Sequence, residues 1–432
     1  MPVLQFCIPS ENRKKFIFTN RPVEIATENV KFPCICLCEK ETNLLVSTPG
    51  FERWYLNLSE VQAMATMTLQ KRAYTICSFL NFWLWNTNCD RISELTLNDI
   101  RNFLIDYKKI NADTERDLDS WNRGISEVFN FLIRYYEYNK EKMEFSYRTE
   151  ELCSVGVVRD SGTGRKSIVR KYNKFSVKPP AKHQKKNRLL VYGYLDFILE
   201  EAKKHDPMIV LGIALQAYAG LREGEIVNIT RRNIHMTYAG FGRIGKICVD
   251  ITRQAPFSQD GKSTFGNIKV LRNQEVYSDF VPIIQRIYEQ HMNLLTLMDV
   301  PADPDAPLFL NKWRKPLSSN TYRVRVQKLF QEHFLPDLQR YCEENGTWAE
   351  NAPYIQAYQE EYPGAHMFRH WFTMYLVTKT NLSTEEIAKW RGDSSMESMM
   401  SYIHVNADML ALYKDSAYRF QRSIWAEVCV NG

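Results

Sequence analysis

The sequence predicts a mainly α-helical protein with a small antiparallel β-sheet inserted into its larger, C-terminal domain. Three observations carry that fold class. Apolar residues recur at helical spacing over roughly 58–147, and again from about 189 to the end. Strand-like runs interrupt the second stretch only between about 244 and 283. A chain of 432 residues also exceeds what one ordinary core organises, so two or more domains are expected.

The elements follow in order. Residues 1–57 read as short strands and turns ("KFIFTN", "VEIAT", "FPCICLC", "NLLVST"), a β-rich segment to which no chemistry attaches. Within it Cys34, Cys36 and Cys38 alternate with period two, which puts them on one face of a strand. That spacing speaks for burial; zinc sites space their cysteines by two to four residues and need a fourth ligand, so no metal is expected. Residues 58–164 form a helical domain. "LSEVQAMATMTLQKRAYTICSFLNFWLWN" is one amphipathic helix, "LTLNDIRNFLIDYKK" a second opened by Thr96, and "DTERDLDSWNRGISEVFNFLIRYYEYNKE" a third. Residues 165–188 are a basic linker marked by Pro179–Pro180. The larger domain spans 189–432. "HDPMIVLGIALQAYAGLREGEIVNIT" begins with Asp206 as N-cap and Pro207 in the first turn, breaks at Gly220 and restarts at Arg222–Glu225. Strands are then read from "IGKICVDIT", "GNIKVL" and "VYSDFVPI", the last two as a hairpin, before helices resume near Val281 and continue to a C-terminal helix.

Composition bounds the function. Hydrophobic residues at 44% and charged residues at 25% describe a globular chain. No apolar run is long enough to span a bilayer, and the N-terminus lacks a signal peptide's order of charge and apolar core, so a cytoplasmic protein without membrane contact is expected. The ten cysteines are scattered, without a disulfide framework. The net charge of +6 decides little by itself, but residues 165–188 hold ten Lys/Arg and no acid. Such a strap suits a polyanion; Arg165, Lys166, Arg170, Lys171 and Lys174 are the candidate DNA contacts.

Four stretches carry unusual chemistry. "GLREGEI" places Arg222 at a helix break with Glu225 one turn on. "HMFRHWF" puts His366, Arg369 and His370 on one helical face. "GNIKVLRNQEVYSDFVPI" places Lys269 near a hairpin turn. In "GDSSMESMMSYIHV", Gly392 ends a helix, Ser394 and Glu397 form a capping box, and Tyr402 lies two turns into the new helix. In this order and spacing the set resembles the tyrosine recombinases, the phage-integrase family of site-specific DNA recombinases. The resemblance extends to "TLNDIRNFL" and "NRGISEVFNFLIRYY", similar to the family's helical core-binding domain, and to "LFLNKWRKPLSSNTYRVRVQKLF" within the catalytic domain.

That resemblance implies roles. Arg222 and Arg369 match the two phosphate-clamping arginines, Glu225 the acid that braces the first, and His366 the histidine of His-x-x-Arg. Lys269 matches the hairpin lysine that serves the leaving 5′-hydroxyl, with Lys262 the alternative, and Tyr402 matches the nucleophile. One position departs: where the family carries His or Trp nine residues before the tyrosine, this chain has Asp393, which as a carboxylate cannot donate to phosphate. The implied activity is cleavage and rejoining of DNA through a covalent 3′-phosphotyrosine, without metal or nucleotide cofactor, as an integrase or transposase of a mobile element associated with the nucleoid. The implied partners are double-stranded DNA bearing a specific site and further copies of the chain, monomeric or dimeric before synapsis and a homotetramer on paired sites. Two other readings stand beside it: a relative that has lost rate and binds DNA as a regulator, and a type IB topoisomerase. Beyond Tyr402, Met409, Tyr413, Phe420, Ile424 and Val428 recur at helical spacing, for packing within their own domain or for docking on a neighbouring protomer.

Overall fold

The computed structural model describes residues 9–25, 30–54, 56, 66–159, 166–171, 175–181, 190–240, 243–251, 268 and 270–392. The chain divides into two units, Met1–Gln184 and Lys185–Gly432. The fold is mainly helical, with small antiparallel sheets in each unit.

The first unit opens with five short strands: β1 (Phe16–Asn20), β2 (Val23–Ile25), β3 (Val30–Phe32), β4 (Ile35–Glu39) and β5 (Leu45–Ser47). They pair antiparallel in the orders β1-β4-β5 and β2-β3. Three long helices follow: α1 (Thr66–Asn86), α2 (Leu97–Tyr107) and α3 (Leu118–Asn139). Thr96 caps α2 as expected, its hydroxyl accepting from the Asp99 amide at 3.2 Å.

The role that the sequence leaves open for residues 1–57 is structural in part. Phe18, Ile35, Leu37, Phe51 and Trp54 are buried in one core with Leu80, Trp83, Phe131 and Leu132 of the helices. The Asn81 side chain closes the junction, accepting from the Phe18 amide at 2.6 Å and donating to its carbonyl at 3.0 Å. The physical reason lies in "TICSFLNFWLWN": a helix end this apolar exceeds one stripe and needs cover on a second side. Cys36 and Cys38 are buried in β4, with Cys34 partly buried just before it. Burial, reinforced by Glu52, pushes the Cys34 thiol up to about 12, so it is not a thiolate near neutrality.

One expectation changes. Residues 165–188 are not simply a linker. A short helix, α4 (Thr149–Leu152), leads into a hairpin of β6 (Ser154–Arg159) and β7 (Lys166–Lys171), with Ser154 opposite Lys171 and Arg159 opposite Lys166. The run "KSIVRK" carries β-branched residues at its centre, and that strand propensity outweighs its charge. Lys166, Arg170 and Lys171 therefore sit on a paired strand, while Arg165 and Lys174 lie outside the described residues.

The second unit contains α5 (Tyr194–His205), α6 (Pro207–Ala219), α7 (Glu223–Ile226), β8 (Ile234–Ala239), β9 (Arg243–Ile251), β10 (Arg272–Glu275), α8 (Val281–Leu297), α9 (Ser319–Leu329), a π-helical turn at Phe330–Phe334, α10 (Leu335–Glu344), α11 (Trp348–Glu360), α12 (Met367–Lys379) and α13 (Thr384–Arg391). Helix α6 is apolar on all sides, and every residue from Met208 to Ala219 is buried, so it forms the centre of this core. Asp206 stands at its N-cap, but its carboxylate is held by Arg325, whose Nε donates at 2.6 Å.

The sheet order is β10-β9-β8, all antiparallel. It corrects the strand reading: β8 and β9 form the hairpin, and the third strand is "RNQE" rather than "VYSDFVPI", while half of "GNIKVL" lies outside the described residues. The latter run instead becomes a 3-10 turn at Ser278–Phe280 and the start of α8, because Pro282 fits a first helical turn and would lose a ladder hydrogen bond in a strand. Among the described residues no helix is long and apolar enough to cross a membrane.

Candidate active site

The site begins with two helix ends that glycine makes possible. Gly220 closes α6 at φ 67°, and Gly392 closes α13 at φ 59°, both in the left-handed region. Space adds to the requirement. A Cβ on Gly220 would fall 2.5 Å from Phe372 Cδ1, and one on Gly392 would fall 2.4 Å from Arg272 Nε. Each end leaves backbone carbonyls at the negative pole of its helix.

Arginines take those carbonyls. Arg369, one turn into α12 and 1% exposed, donates through Nη1 to the Gly220 carbonyl and through Nη2 to that of Arg391 at 2.6 Å. Arg222 donates through Nη2 to the neighbouring carbonyl, Gly392, at 3.1 Å. Two guanidiniums separated by 147 positions thus meet on consecutive carbonyls at the end of α13. The chain then continues toward Asp393 and Tyr402, which lie outside the described residues.

Glu225 organises the other side. It is 1% exposed and accepts four hydrogen bonds, which fill its carboxylate. Arg222 supplies its backbone amide to Oε2 at 2.8 Å and Nη1 to Oε1 at 2.9 Å. Arg272 of β10 supplies a bidentate pair, Nη1 to Oε1 at 2.8 Å and Nη2 to Oε2 at 2.9 Å. The sequence assigned Glu225 to Arg222 alone and gave Arg272 no role. In turn Arg272 Nε donates to Gln274 at 2.7 Å, and Gln274 donates to the Trp390 carbonyl at 2.9 Å, which ties β10 to α13. No local pattern marks Arg272, because Glu225 is 47 positions and Gly392 120 positions away along the chain.

His366 occupies the N-cap of α12, half-buried, and its ring lies edge-on to His370 with centroids 4.7 Å apart. His366 and His370 thus meet at the first turn of that helix, while Arg369 reaches the Gly220 and Arg391 carbonyls. Lys269 and Lys262 lie outside the described residues.

The electrostatics centre on one shared carboxylate. Arg222 and Arg272 both pair with the buried Glu225. Burial alone would push the Glu225 carboxyl up, but the hydrogen bonds and charge of Arg272, then Arg222, more than offset it and hold it below its ordinary 4.5. A carboxyl depressed on folding contributes stability that is present above about pH 4.5 and is lost as pH falls through its folded value. Accordingly, the difference in urea midpoint between the native protein and Glu225→Gln should be largest at neutral pH and shrink below about pH 4.5. A difference constant from pH 7 to pH 3 would contradict the ionised, arginine-held state.

Such a cluster presents convergent guanidinium N–H donors, a setting for a phosphate ester rather than for a cationic or apolar ligand. A scan against models of protein families finds no match, and a search of curated proteins finds none. Among solved structures the chain is similar to a XerH site-specific recombinase bound to its difH substrate, at 14% identity over 86% of this chain and 85% of that one, with a TM-score of 0.48. It is similar to a Tn1549 transposon integrase in complex with transposon right-end DNA, at 12% identity over 84% and 96%, TM-score 0.47. It is also similar to a lambda integrase dimer bound to a COC′ core site, at 12% identity over 82% and 75%, TM-score 0.47.

Proposed function

We propose that this protein is a tyrosine recombinase: a site-specific DNA recombinase that cleaves and rejoins strands through a 3′-phosphotyrosine formed by Tyr402. The observation that carries the reading is the convergence of Arg222 and Arg369 on the carbonyls of Arg391 and Gly392, ten residues before that tyrosine.

In this reading the scissile phosphate enters against Arg222, whose side chain keeps 15% of its surface exposed. Arg369 acts from a buried position: it holds the ends of α6 and α13 together and adds positive potential. Direct contact with phosphate requires it to exchange one carbonyl partner for a phosphate oxygen. The Tyr402 oxygen forms a bond to phosphorus as the bond to the 5′-oxygen breaks. The phenolic proton passes to His366 or to phosphate, and Lys269 protonates the departing 5′-oxygen. Glu225 and Arg272 hold Arg222 in place without touching DNA. Religation is the same exchange reversed, with another strand's 5′-hydroxyl as acceptor, so no metal or nucleotide is consumed.

The test is covalent capture. A nicked duplex carrying the protein's own site, recovered by selecting a random-sequence duplex library on the immobilised protein, should yield an adduct that survives detergent and is removed by protease. Transfer of the captured strand to a second duplex separates a recombinase from a topoisomerase. Absence of any adduct on a site that binds tightly would reduce the protein to a DNA-binding regulator.

The basic segment enters the same reading as a contact to DNA phosphates. Replacing Lys166, Arg170, Lys171 and Lys174 by glutamine should flatten the slope of log affinity against log salt by about three to four. An unchanged slope, measured by fluorescence anisotropy between 50 and 200 mM salt, would leave the hairpin a purely structural role.

A further inference from the structure

Away from the arginine cluster, the second unit carries a set of side chains with no part in the reaction above. Glu201 and His205 lie four apart on α5; His333 and Asp337 lie four apart across the π-helical turn and the first turn of α10. Spacing of four puts each pair on one face of its helix. The two helices bring the pairs together: His205 and His333 stack with ring centroids 3.7 Å apart and planes 11° from parallel. One ligand atom from each of Glu201, His205 and Asp337 lies within 4.8 Å of the others.

The Glu201 side chain is unusual for a helix that ends in "KKH". Only 2% of its surface is exposed. Its Oε1 accepts from Lys204 Nζ at 2.7 Å, but its buried Oε2 accepts no hydrogen bond among the described residues. His205 Nε2 lies 3.4 Å from Oε2 but is not aligned as a hydrogen bond. A buried carboxylate oxygen without a donor is costly, and such an atom calls for an explanation.

Distance supplies one. Ligands about 2.0–2.2 Å from a tetrahedral zinc ion stand roughly 3.4 Å from each other, the spacing of Glu201 Oε2 and His205 Nε2. Asp337 completes a three-residue set, with one carboxylate oxygen engaged by Arg340 at 2.6 Å and a second left for another partner. His333 covers the face of the His205 ring and limits its rotation. The π-helical turn that carries His333 is a rare conformation concentrated at functional positions.

We propose that Glu201, His205 and Asp337 bind a divalent transition-metal ion between α5 and α10, with His333 positioning His205. One imidazole with two carboxylates suits zinc or cobalt better than calcium or magnesium, which favour all-oxygen shells. The ion would bridge two helices whose Phe197 and Tyr341 rings also meet, with centroids 5.8 Å apart, and the site is separate in residues and chemistry from the proposed strand exchange.

The test uses the full-length protein, treated with chelator and dialysed. Isothermal titration with zinc chloride should show one saturable equivalent assigned to this site, and cobalt chloride should produce visible d–d absorption of a tetrahedral centre. His205→Gln and Asp337→Asn, both partly exposed positions, should each weaken that equivalent by tenfold or more and abolish its contribution to thermal stabilisation by zinc. His333→Phe keeps the stack and should retain binding, which separates ligand from positioning residue. The same stoichiometry and affinity in His205→Gln and Asp337→Asn would assign the metal to cysteines elsewhere and overturn the proposal. So would the absence of any saturable binding. Neither result bears on covalent capture by Tyr402.

Discussion

Tyr402→Phe should abolish covalent capture of nicked DNA while leaving affinity for the intact site within a few-fold of normal. The reason is chemical. Free tyrosine has a pKa near 10, so about one molecule in a thousand is phenolate at neutral pH, and an incoming anion is further repelled by the phosphodiester. Attack becomes feasible only where guanidiniums neutralise the non-bridging oxygens and stabilise the added charge of the transition state. The hydroxyl supplies the bond and little of the affinity, so its removal separates reaction from binding. Arg222→Ala should slow cleavage by roughly a hundredfold or more, as for the loss of one preorganised donor. Arg222→Lys should recover only part of that loss, since an ammonium cannot reproduce the forked contact to both Glu225 and phosphate. A protein–DNA adduct that persists in Tyr402→Phe would assign the nucleophile to another side chain.

Arg272→Ala should be the most destabilising single change at the site, by about 3–5 kcal/mol, the usual cost of breaking a buried ion pair from one side. Glu225 is 1% exposed, and this substitution removes two of its four hydrogen bonds. It also cuts the path from β10 through Gln274 to the Trp390 carbonyl. Urea unfolding of the full chain measures the loss directly. Arg272→Ala combined with Glu225→Gln should recover part of it, because the second change removes the uncompensated charge. A loss below about 1 kcal/mol in the single variant would mean that Arg222 alone satisfies the carboxylate.

The amino-acid order by itself determined the local features. Thr96 and Gly220 mark helix ends because a cap or a left-handed turn depends on one residue and its immediate neighbours. Arg222 and Glu225 could be paired on paper because three positions make one helical turn, and His366, Arg369 and His370 for the same reason. The burial of α6 was legible in the run from Met208 to Ala219, apolar but for Gln216. Pro282 was the local sign that "VYSDFVPI" is not a strand, though alternation of apolar residues suggested one.

Tertiary structure decided what depends on distance along the chain. Arg272 reaches Glu225 across 47 positions, and Arg369 reaches Gly220 across 149. No periodicity encodes such pairs, since each partner's own surroundings look like an ordinary polar strand or helix face. The packing of Phe18, Ile35, Leu37, Phe51 and Trp54 onto α1 and α3 and the placing of Glu201 beside His205 and Asp337 belong to the same class. Sequence fixes where a helix turns its faces; only the packed core fixes which distant face it meets, because that choice is made by burial summed over many side chains rather than by any one of them.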